Sequence, residues 1–268
     1  MNPQKARFFI IFVHYGSSAP TETLLASLQT QTVTAQQIIV IDHAKHALKQ
    51  NNTNSAVSVF RPPHNAGYSG GINMALGMLL SQNLKLDDVV IVLNNDVILG
   101  ETWLEEIDTW WKRQPEVGLV GSVLKYVNPW TGRSNQSNGL AYIDGSFIAA
   151  SYTTWMRLKG LPDNYFLYWE DVALSFQAVR KGLILQTIPH LALQHEYSQQ
   201  LSSEQKLFYL IRNGAVCLET ETRGFLKLYW FIVNRLRYLY HLYISLRPES
   251  KLTAKALRAA ITGHMGVL

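Results

Sequence analysis

The residues best suited to chemistry follow a run of five apolar residues at positions 89–93, which ends in Asn94, Asn95 and Asp96. A β-branched run of this kind is typical of a strand buried on both faces of a mainly parallel sheet. Open α/β sheets bind ligands at the carboxyl ends of such strands. The Asp96 carboxylate suits a hard divalent cation, and the two amides suit hydroxyl partners. The same residues also favour an ordinary polar turn, so this stretch alone leaves both interpretations open.

A second group of acids, Glu170 and Asp171, follows three aromatic residues at a predicted helix start. Acids are favoured in the first turn of any helix, which is the simpler interpretation. A carboxylate beside aromatic side chains in a cleft can also act as a general base with a shifted pKa. His195 ends a short apolar segment and is either structural or, together with Asp96, a ligand of one cation.

Polar side chains also stand at the ends of the earlier predicted strands. These are His14 and Tyr15, Asp42, and Arg61. The carboxyl ends of parallel strands converge, so Asp42 is placed to accept a hydrogen bond from a base or ribose. The glycine-rich turn at 65–71 leads into a helix and suits close approach of an anionic ligand. It is not a P-loop, because no Lys-Ser or Lys-Thr pair follows the glycines.

Alternating strands and helices are expected to position these groups. Apolar runs predict strands at 7–13, 38–41, 57–60, 89–93 and 118–126, with helices between them. This order predicts an α/β fold with right-handed crossovers and a mainly parallel sheet flanked by helices. The second half is less regular. There we predict a strand at 140–150 and a helix that starts near Glu170 and closes at Gly182, followed by a helical tail.

The formal net charge of +5 is concentrated in residues 222–268, which carry eight Lys or Arg and one acid, Glu249. The first 221 residues are therefore slightly acidic, which disfavours nucleic acid as a partner. The tail is rich in aromatic residues but too charged for a membrane span. It is expected either to lie on an anionic membrane or to pack on the main domain or on a second subunit, so a homodimer stays open. The single Cys217 excludes an intrachain disulfide, and no signal-peptide cleavage site follows the first apolar run.

The order of the motifs resembles glycosyltransferase family 2, and most closely the rhamnosyltransferase-like enzymes of bacterial polysaccharide assembly. The resemblance covers residues 9–213. It rests on FVHYGS, IIVIDHA, NAGYSGGIN, VLNNDV, IDGSF, FLYWEDVALSFQAVRKG, LQHEYS and the pair Arg212-Asn213. It implies a GT-A fold over 1–221, with a nucleotide-sugar half at about 1–126, an acceptor half at about 127–221 and a helical extension at 222–268.

The resemblance also implies a role for each matching residue. Asp171 would be the catalytic base, with Glu170 beside it contacting a sugar. Asp96 and His195 would hold Mg²⁺ or Mn²⁺ at the donor diphosphate. The nucleotide-sugar, with dTDP or UDP as the nucleotide, would be bound by Val13, Tyr15, Asp42, Arg61, Asn65, Gly67, Asn94, Asn95, Asp144 and Trp169.

The family further implies an inverting transfer to a hydroxyl of a saccharide or lipid-linked saccharide. A cytoplasmic location is expected, peripheral on the inner face of the cell membrane if the tail binds lipid. Two alternatives stay open: a sugar nucleotidyltransferase and a catalytically inactive sugar-binding or scaffold subunit. The first would need a basic glycine-rich loop after the first strand, where residues 16–19 read Gly-Ser-Ser-Ala. His14 and His43 both stand where the family usually has Asn.

Overall fold

The computed structural model describes residues 7–48, 56–80, 82, 84–114, 118–135, 137–191, 193–195, 202–247 and 249–265, with the backbone alone for Leu80 and His195. The strands are β1 Phe8–His14, β2 Gln37–Asp42, β3 Val57–Phe60, β4 Val89–Leu93, β5 Val97–Leu99, β6 Leu119–Gly121, β7 Leu124–Val127, β8 Ser134–Asn135, β9 Leu140–Ile143, β10 Phe147–Ser151, β11 Leu185–Thr187 and β12 Leu193–His195. The helices are α1 Ser18–Gln29, α2 Gly67–Leu80, α3 Trp103–Trp111, α4 Tyr152–Leu158, α5 Glu170–Arg180, α6 Ser203–Glu221, α7 Gly224–Leu239 and α8 Ser250–Ile261, with a π-helical turn at Tyr240–Ile244.

A seven-stranded sheet forms the centre, in the order β11-β6-β10-β4-β1-β2-β3. β1 to β4 run parallel, and β10 is antiparallel to both of its neighbours. Every side chain of β1 is buried, as expected of a strand covered on both faces. The sheet therefore has the predicted α/β form, with an antiparallel strand inserted between β4 and β6.

Helices cover both faces of this sheet. On one face, Leu24, Leu25 and Leu28 of α1 pack with residues of α3 against Phe8, Ile10 and Phe12 of β1. On the other face, α2, α4 and α5 pack against the alternate strand residues. Successive strand residues point to opposite faces, so each strand contributes to both core clusters.

Two predicted single strands are each broken in two. The predicted strand at 118–126 is β6 and β7, and the one at 140–150 is β9 and β10. In the second case the break is a turn in which the Asp144 carboxylate accepts a hydrogen bond from the Ser146 amide at 3.1 Å. Asp commonly forms such turns with its own backbone, so the local polar sequence overrides the apolar pattern.

The tail packs on α6. The indole nitrogen of Trp230 in α7 donates to the Pro129 carbonyl at 2.8 Å, and Asn234 donates to the Ala215 carbonyl at 3.1 Å. Trp230 belongs to a buried cluster that includes Val216, Cys217 and Leu218 of α6. The division of the chain at residue 221 stays a prediction, since α6 contacts both the central domain and the tail.

Candidate functional site

The parallel register brings the polar strand ends to one edge of the sheet. His14 pairs with Asp42, Phe12 with Leu93, and Ile41 with Phe60. The residues that follow these strands therefore lie side by side, as the sequence predicts. Val13 is buried next to this edge, while Tyr15 is exposed at it.

Asp42 is buried, and it orders the loop that follows β2. Its oxygens accept hydrogen bonds from the amides of Ala44 and Leu48, at 2.9 and 3.0 Å, and from the Arg61 guanidinium at 2.8 Å. Burial alone would raise the pKa of Asp42, but these bonds outweigh it and hold the pKa below its usual value. A carboxylate has about four acceptor positions, and these three hydrogen bonds leave room for one more. The contact of Asp42 and Arg61 with a nucleotide base stays a prediction.

Asn95 turns inward, away from the edge. Its amide nitrogen donates to the Thr21 hydroxyl at 3.0 Å, and that hydroxyl also bonds Nδ1 of the buried His14 at 2.7 Å. Burial lowers the pKa of His14, which favours the neutral imidazole. These bonds tie the turn after β4 to α1. The contact between Asn95 and the nucleotide-sugar stays a prediction. The backbone N–H of the neighbouring Asn94 donates to the Ser146 carbonyl at 3.1 Å.

The glycine-rich turn is bound to the aromatic segment before α5. Asn65 accepts a hydrogen bond from the Gly67 amide at 2.8 Å, and the Tyr68 amide donates to the Phe166 carbonyl at 2.8 Å. Gly67 has φ +76°, and a Cβ there would lie 2.3 Å from the Phe166 carbonyl oxygen. Only glycine fits this approach, so the turn that carries Asn65 and Gly67 is held beside the acidic residues of α5.

The two acids at the start of α5 differ in their surroundings. Asp171 accepts hydrogen bonds from the amides of Val172 and Gly145 at 2.8 and 3.1 Å. Burial and the charge of Asp144 raise the pKa of Asp171 to about 6. Among the described residues, Oε2 of Glu170 is buried without a hydrogen-bond partner. Burial and the charge of Asp171 raise the pKa of Glu170 to about 8. Burial and the repulsion between the two carboxylates therefore oppose the loss of both protons, and at neutral pH the pair shares one proton and one charge.

Asp144 takes part in this electrostatic group. It forms an ion pair with Lys125 and accepts a hydrogen bond from the Ser146 amide. Burial would raise the pKa of Asp144, but these contacts together hold it below its usual value. Asp144 therefore stays charged, and that charge contributes to the raised pKa of Asp171.

The Tyr68 hydroxyl lies at the end of β4, where it donates to the Leu93 carbonyl at 3.5 Å. Burial, followed by the charges of Glu170, Asp171, Asp96 and Asp144, raises the pKa of the Tyr68 phenol well above its usual value. One hydroxyl is thus within electrostatic reach of acids from the β4–β5 turn, the β9–β10 turn and α5. Backbone contacts agree with this arrangement, since the Gly145 amide donates to Asp171 and the Asn94 amide donates to the Ser146 carbonyl, so the β9–β10 turn contacts both α5 and the turn that carries Asp96. A shared site for Asp96 and Asp171 stays a prediction. Sequence reasoning missed Tyr68, because a tyrosine in the first turn of a helix carries no signal of its own.

The metal site involves one residue whose side chain lies outside the described part of the chain. Within that part, no three His, Cys, Asp or Glu side chains are arranged to hold a metal ion. The His195 backbone pairs with Val97, directly after Asp96. This register fits the predicted pair of ligands, because Mg²⁺ commonly takes one or two protein ligands and completes its shell with phosphates and water. The metal role of Asp96 and His195 stays a prediction.

Comparison with known proteins agrees with this architecture. Residues 9–179 match glycosyl transferase family 2, so the chain belongs to that family. An N-acetylglucosaminyl-diphospho-decaprenol L-rhamnosyltransferase of Mycobacterium tuberculosis is 21% identical over 231 residues, covering 69% of this chain and 75% of the relative.

Solved structures of GT-A glycosyltransferases share the fold. The mannosyltransferase PcManGT from Pyrobaculum calidifontis, in complex with GDP-Man and Mn²⁺, has a TM-score of 0.61 at 14% identity, covering 99% of this chain and 77% of that one. GalNAc-T7 with UDP, GalNAc and Mn²⁺ has a TM-score of 0.66 at 14% identity, covering 97% and 57%. This protein therefore has the predicted GT-A fold with a C-terminal helical extension.

Among the helices that the structure describes, none combines the length and apolar character needed to cross a bilayer.

Proposed function

We propose that this protein is a metal-dependent inverting glycosyltransferase. It transfers a sugar from a dTDP- or UDP-linked donor to a hydroxyl of a saccharide or lipid-linked saccharide, in the assembly of a bacterial cell-surface polysaccharide. The observation that carries the proposal is the position of Asp171, a buried carboxyl group with a pKa of about 6 that accepts a hydrogen bond from Gly145, in the same turn whose Ser146 carbonyl binds Asn94 at the end of β4. A base of that pKa is ionised at neutral pH and still basic enough to accept a proton.

The reaction follows from these charges. Asp171 takes the proton of the acceptor hydroxyl, whose oxygen attacks the anomeric carbon as the bond to the diphosphate breaks on the opposite face. One displacement inverts the anomeric centre and needs no covalent intermediate. Burial and the charge of Asp171 raise the pKa of Glu170, and in its protonated form Glu170 offers a hydrogen-bond donor to a sugar oxygen beside the base. A bound Mg²⁺ or Mn²⁺, held by Asp96 and His195, would neutralise charge on the leaving diphosphate.

The names of the relatives support the substrate classes. The mycobacterial relative is named for a lipid-diphosphate-linked acceptor. A structure of TarS residues 1–349 from S. aureus, with a TM-score of 0.54 at 14% identity and covering 95% of this chain and 81% of that one, contains UDP-GlcNAc. The UDP-sugar in this structure supports uridine nucleotides among the donors to be tested. Thymidine nucleotides are included because the family resemblance implies them.

Donor binding is tested by thermal shift with a panel of nucleotides and nucleotide-sugars, with and without Mn²⁺. We expect one nucleotide family to stabilise the protein only when metal is present, and Asp96→Asn to abolish that stabilisation. The exposed Asp163 provides a matched control, since Asp163→Asn removes an acid outside the site. No stabilisation by any nucleotide, with the protein folded, would favour the scaffold alternative.

The tail supports a peripheral membrane location on the cytoplasmic side. α7 buries Trp230 and Asn234 against the domain and exposes Phe225, Leu228, Ile232 and Leu236, which are 46–69% exposed. We call these four residues the outer face of α7. Arg223 and Lys227 lie exposed beside it. An apolar helical face with basic residues suits an anionic bilayer, which attracts the cations and accepts the apolar side chains.

Vesicle sedimentation tests this location with the full chain. We expect binding to vesicles containing phosphatidylglycerol, weaker binding to phosphatidylcholine alone, and loss of binding in a Leu228→Ser/Leu236→Ser variant. Leu86 is 71% exposed elsewhere on the protein, so Leu86→Ser is the control. A homodimer in the absence of lipid, dissociated by the double substitution and without vesicle binding, would assign this face to a second copy instead.

A further inference from the structure

The segment that enters α5 has an unusual backbone. Tyr168 and Trp169 are consecutive residues with φ of +67° and +73°. Left-handed backbone is unfavourable for residues with a Cβ, and two in succession persist only when surrounding contacts hold them. Trp169 directly precedes Glu170 and Asp171, so the direction in which both carboxylates leave the backbone depends on this turn.

One buried amide on α6 holds the turn. The Asn213 side chain is fully buried, and its nitrogen donates to the carbonyls of Leu167 and Tyr168 at 2.7 and 3.0 Å. Its oxygen accepts a hydrogen bond from Nε of Arg212 at 2.9 Å. A carboxamide nitrogen has two hydrogens, so each one has a partner in the turn.

The neighbours of Asn213 on α6 contact the same segment. A Cβ at Gly214 would lie 2.8 Å from Cζ2 of Trp169, so glycine leaves room for the indole. Tyr209 stacks on Phe166 with the ring centroids 5.4 Å apart. The Arg212 guanidinium lies 5.0 Å from the Tyr209 ring centroid. The segment from Phe166 to Trp169 is thus held along one side of α6.

We propose that Asn213 is a positioning residue that, by fixing the left-handed turn at Tyr168 and Trp169, sets the placement of Glu170 and Asp171 in the site. The proposal rests on the proposed function, in which Asp171 is the base. Arg212 orients the Asn213 side chain by donating a hydrogen bond to its amide oxygen. Helix α6 thus contacts both the turn that precedes α5 and the tail. Asn213 itself contacts no substrate in this account.

The proposal predicts a distinct kinetic effect. Asn213→Asp keeps the shape of the side chain but removes both hydrogen-bond donors, and Asn213→Ala removes the amide altogether. We expect either change to lower kcat by about 10- to 100-fold, the effect of a displacement of about 1 Å at a reacting group. The KM for the donor should change less than kcat, because most of the predicted nucleotide contacts, such as Asp42 and Arg61, lie on other elements and only Trp169 lies in the turn. The acidic limb of the pH–rate profile should also move, since the surroundings of the acid pair change.

A second buried asparagine provides the matched control. Asn234 of α7 is 1% exposed and donates to the Ala215 carbonyl of α6, the helix that also carries Asn213, and it has no hydrogen bond to the turn at Tyr168 and Trp169 among those the structure describes. Asn234→Ala should lower the melting temperature and leave kcat and the pH profile unchanged below that temperature. If the Asn213 variants do not fold, Gly214→Ala tests the same turn, because its methyl group pushes on Trp169 without removing a hydrogen bond.

The outcomes separate this inference from the proposed function. Normal kcat and pH profile in the Asn213 variants, with an active wild type, would overturn the positioning role and leave the function standing. A wild type inactive with every donor would instead count against the function. The turn is then tested by ¹³C NMR of the Asp and Glu carboxyl groups. The resonances of Glu170 and Asp171 should change their titration in Asn213→Ala, which adds no charge, and not in Asn234→Ala. Unchanged titration in both variants would overturn the inference.

Discussion

Glu170 should make the folded protein less stable as the pH rises through neutrality. Its carboxyl group is buried, its Oε2 atom has no hydrogen-bond partner among the described residues, and its pKa is raised from 4.5 to about 8. Between these two values the unfolded chain has released the proton while the folded protein retains it. The unfolded state therefore binds fewer protons, and the free energy of unfolding falls as the pH rises over this window.

The size of the effect follows from the shift. Each unit of pKa is worth about 1.4 kcal/mol, so an isolated group of this kind would contribute at most about 5 kcal/mol. Because part of the shift comes from the charge of Asp171, we expect a smaller value of about 2–4 kcal/mol between pH 5 and pH 8. The isosteric Glu170→Gln variant cannot ionise and should escape this loss.

The assay is urea unfolding of wild type and Glu170→Gln at pH 5, 6, 7 and 8, in the presence of a chelator. The difference in unfolding free energy should be small at pH 5 and should grow in favour of the variant toward pH 8. Glu204 is exposed at the start of α6, so Glu204→Gln serves as the control for the loss of a carboxyl group outside the site. A difference between Glu170→Gln and wild type that stays constant over the same range would refute the reasoning.

Three further predictions concern turnover and binding. Asp171→Asn should lower kcat by about 10²- to 10⁴-fold, the range attributed to a general base, while a thermal shift assay should still detect the nucleotide. In the wild type, kcat should fall as the pH drops below about 6, where Asp171 becomes protonated, and a pH–rate profile that is flat from pH 5 to 7 would contradict this. Arg61→Leu removes the ion pair with Asp42, and we expect weaker nucleotide binding by calorimetry, because the loop at 43–48 loses one of its anchors.

Sequence reasoning anticipated the sheet because its strands are simple. The runs at 8–14, 37–42 and 89–93 are nearly continuous apolar segments, and parallel pairing brings their polar ends to one edge. The order of motifs also predicts that Asp96 and Asp171 share a site, and the charges of both acids raise the pKa of the Tyr68 phenol, in agreement with that prediction.

Other features depend on contacts between residues distant in sequence. Nothing local indicates that Asn95 turns toward Thr21, 74 residues away, or that Asn213 reaches the carbonyl of Leu167. The break in the strand predicted at 140–150 was missed because the apolar pattern continues across the turn at Asp144, where the side chain bonds the Ser146 amide. Tertiary context of this kind lies outside any local pattern.

The central claim is an inverting transfer that depends on Asp171, and ¹H NMR of the anomeric proton tests it most directly. The full-length protein is incubated with Mn²⁺ and the nucleotide-sugar that binds best, using water or a saccharide as acceptor. We predict that the first product has the anomeric configuration opposite to that of the donor. We also predict that Asp171→Asn forms this product far more slowly than the wild type. A product with retained configuration, or undiminished turnover by Asp171→Asn, would contradict the account.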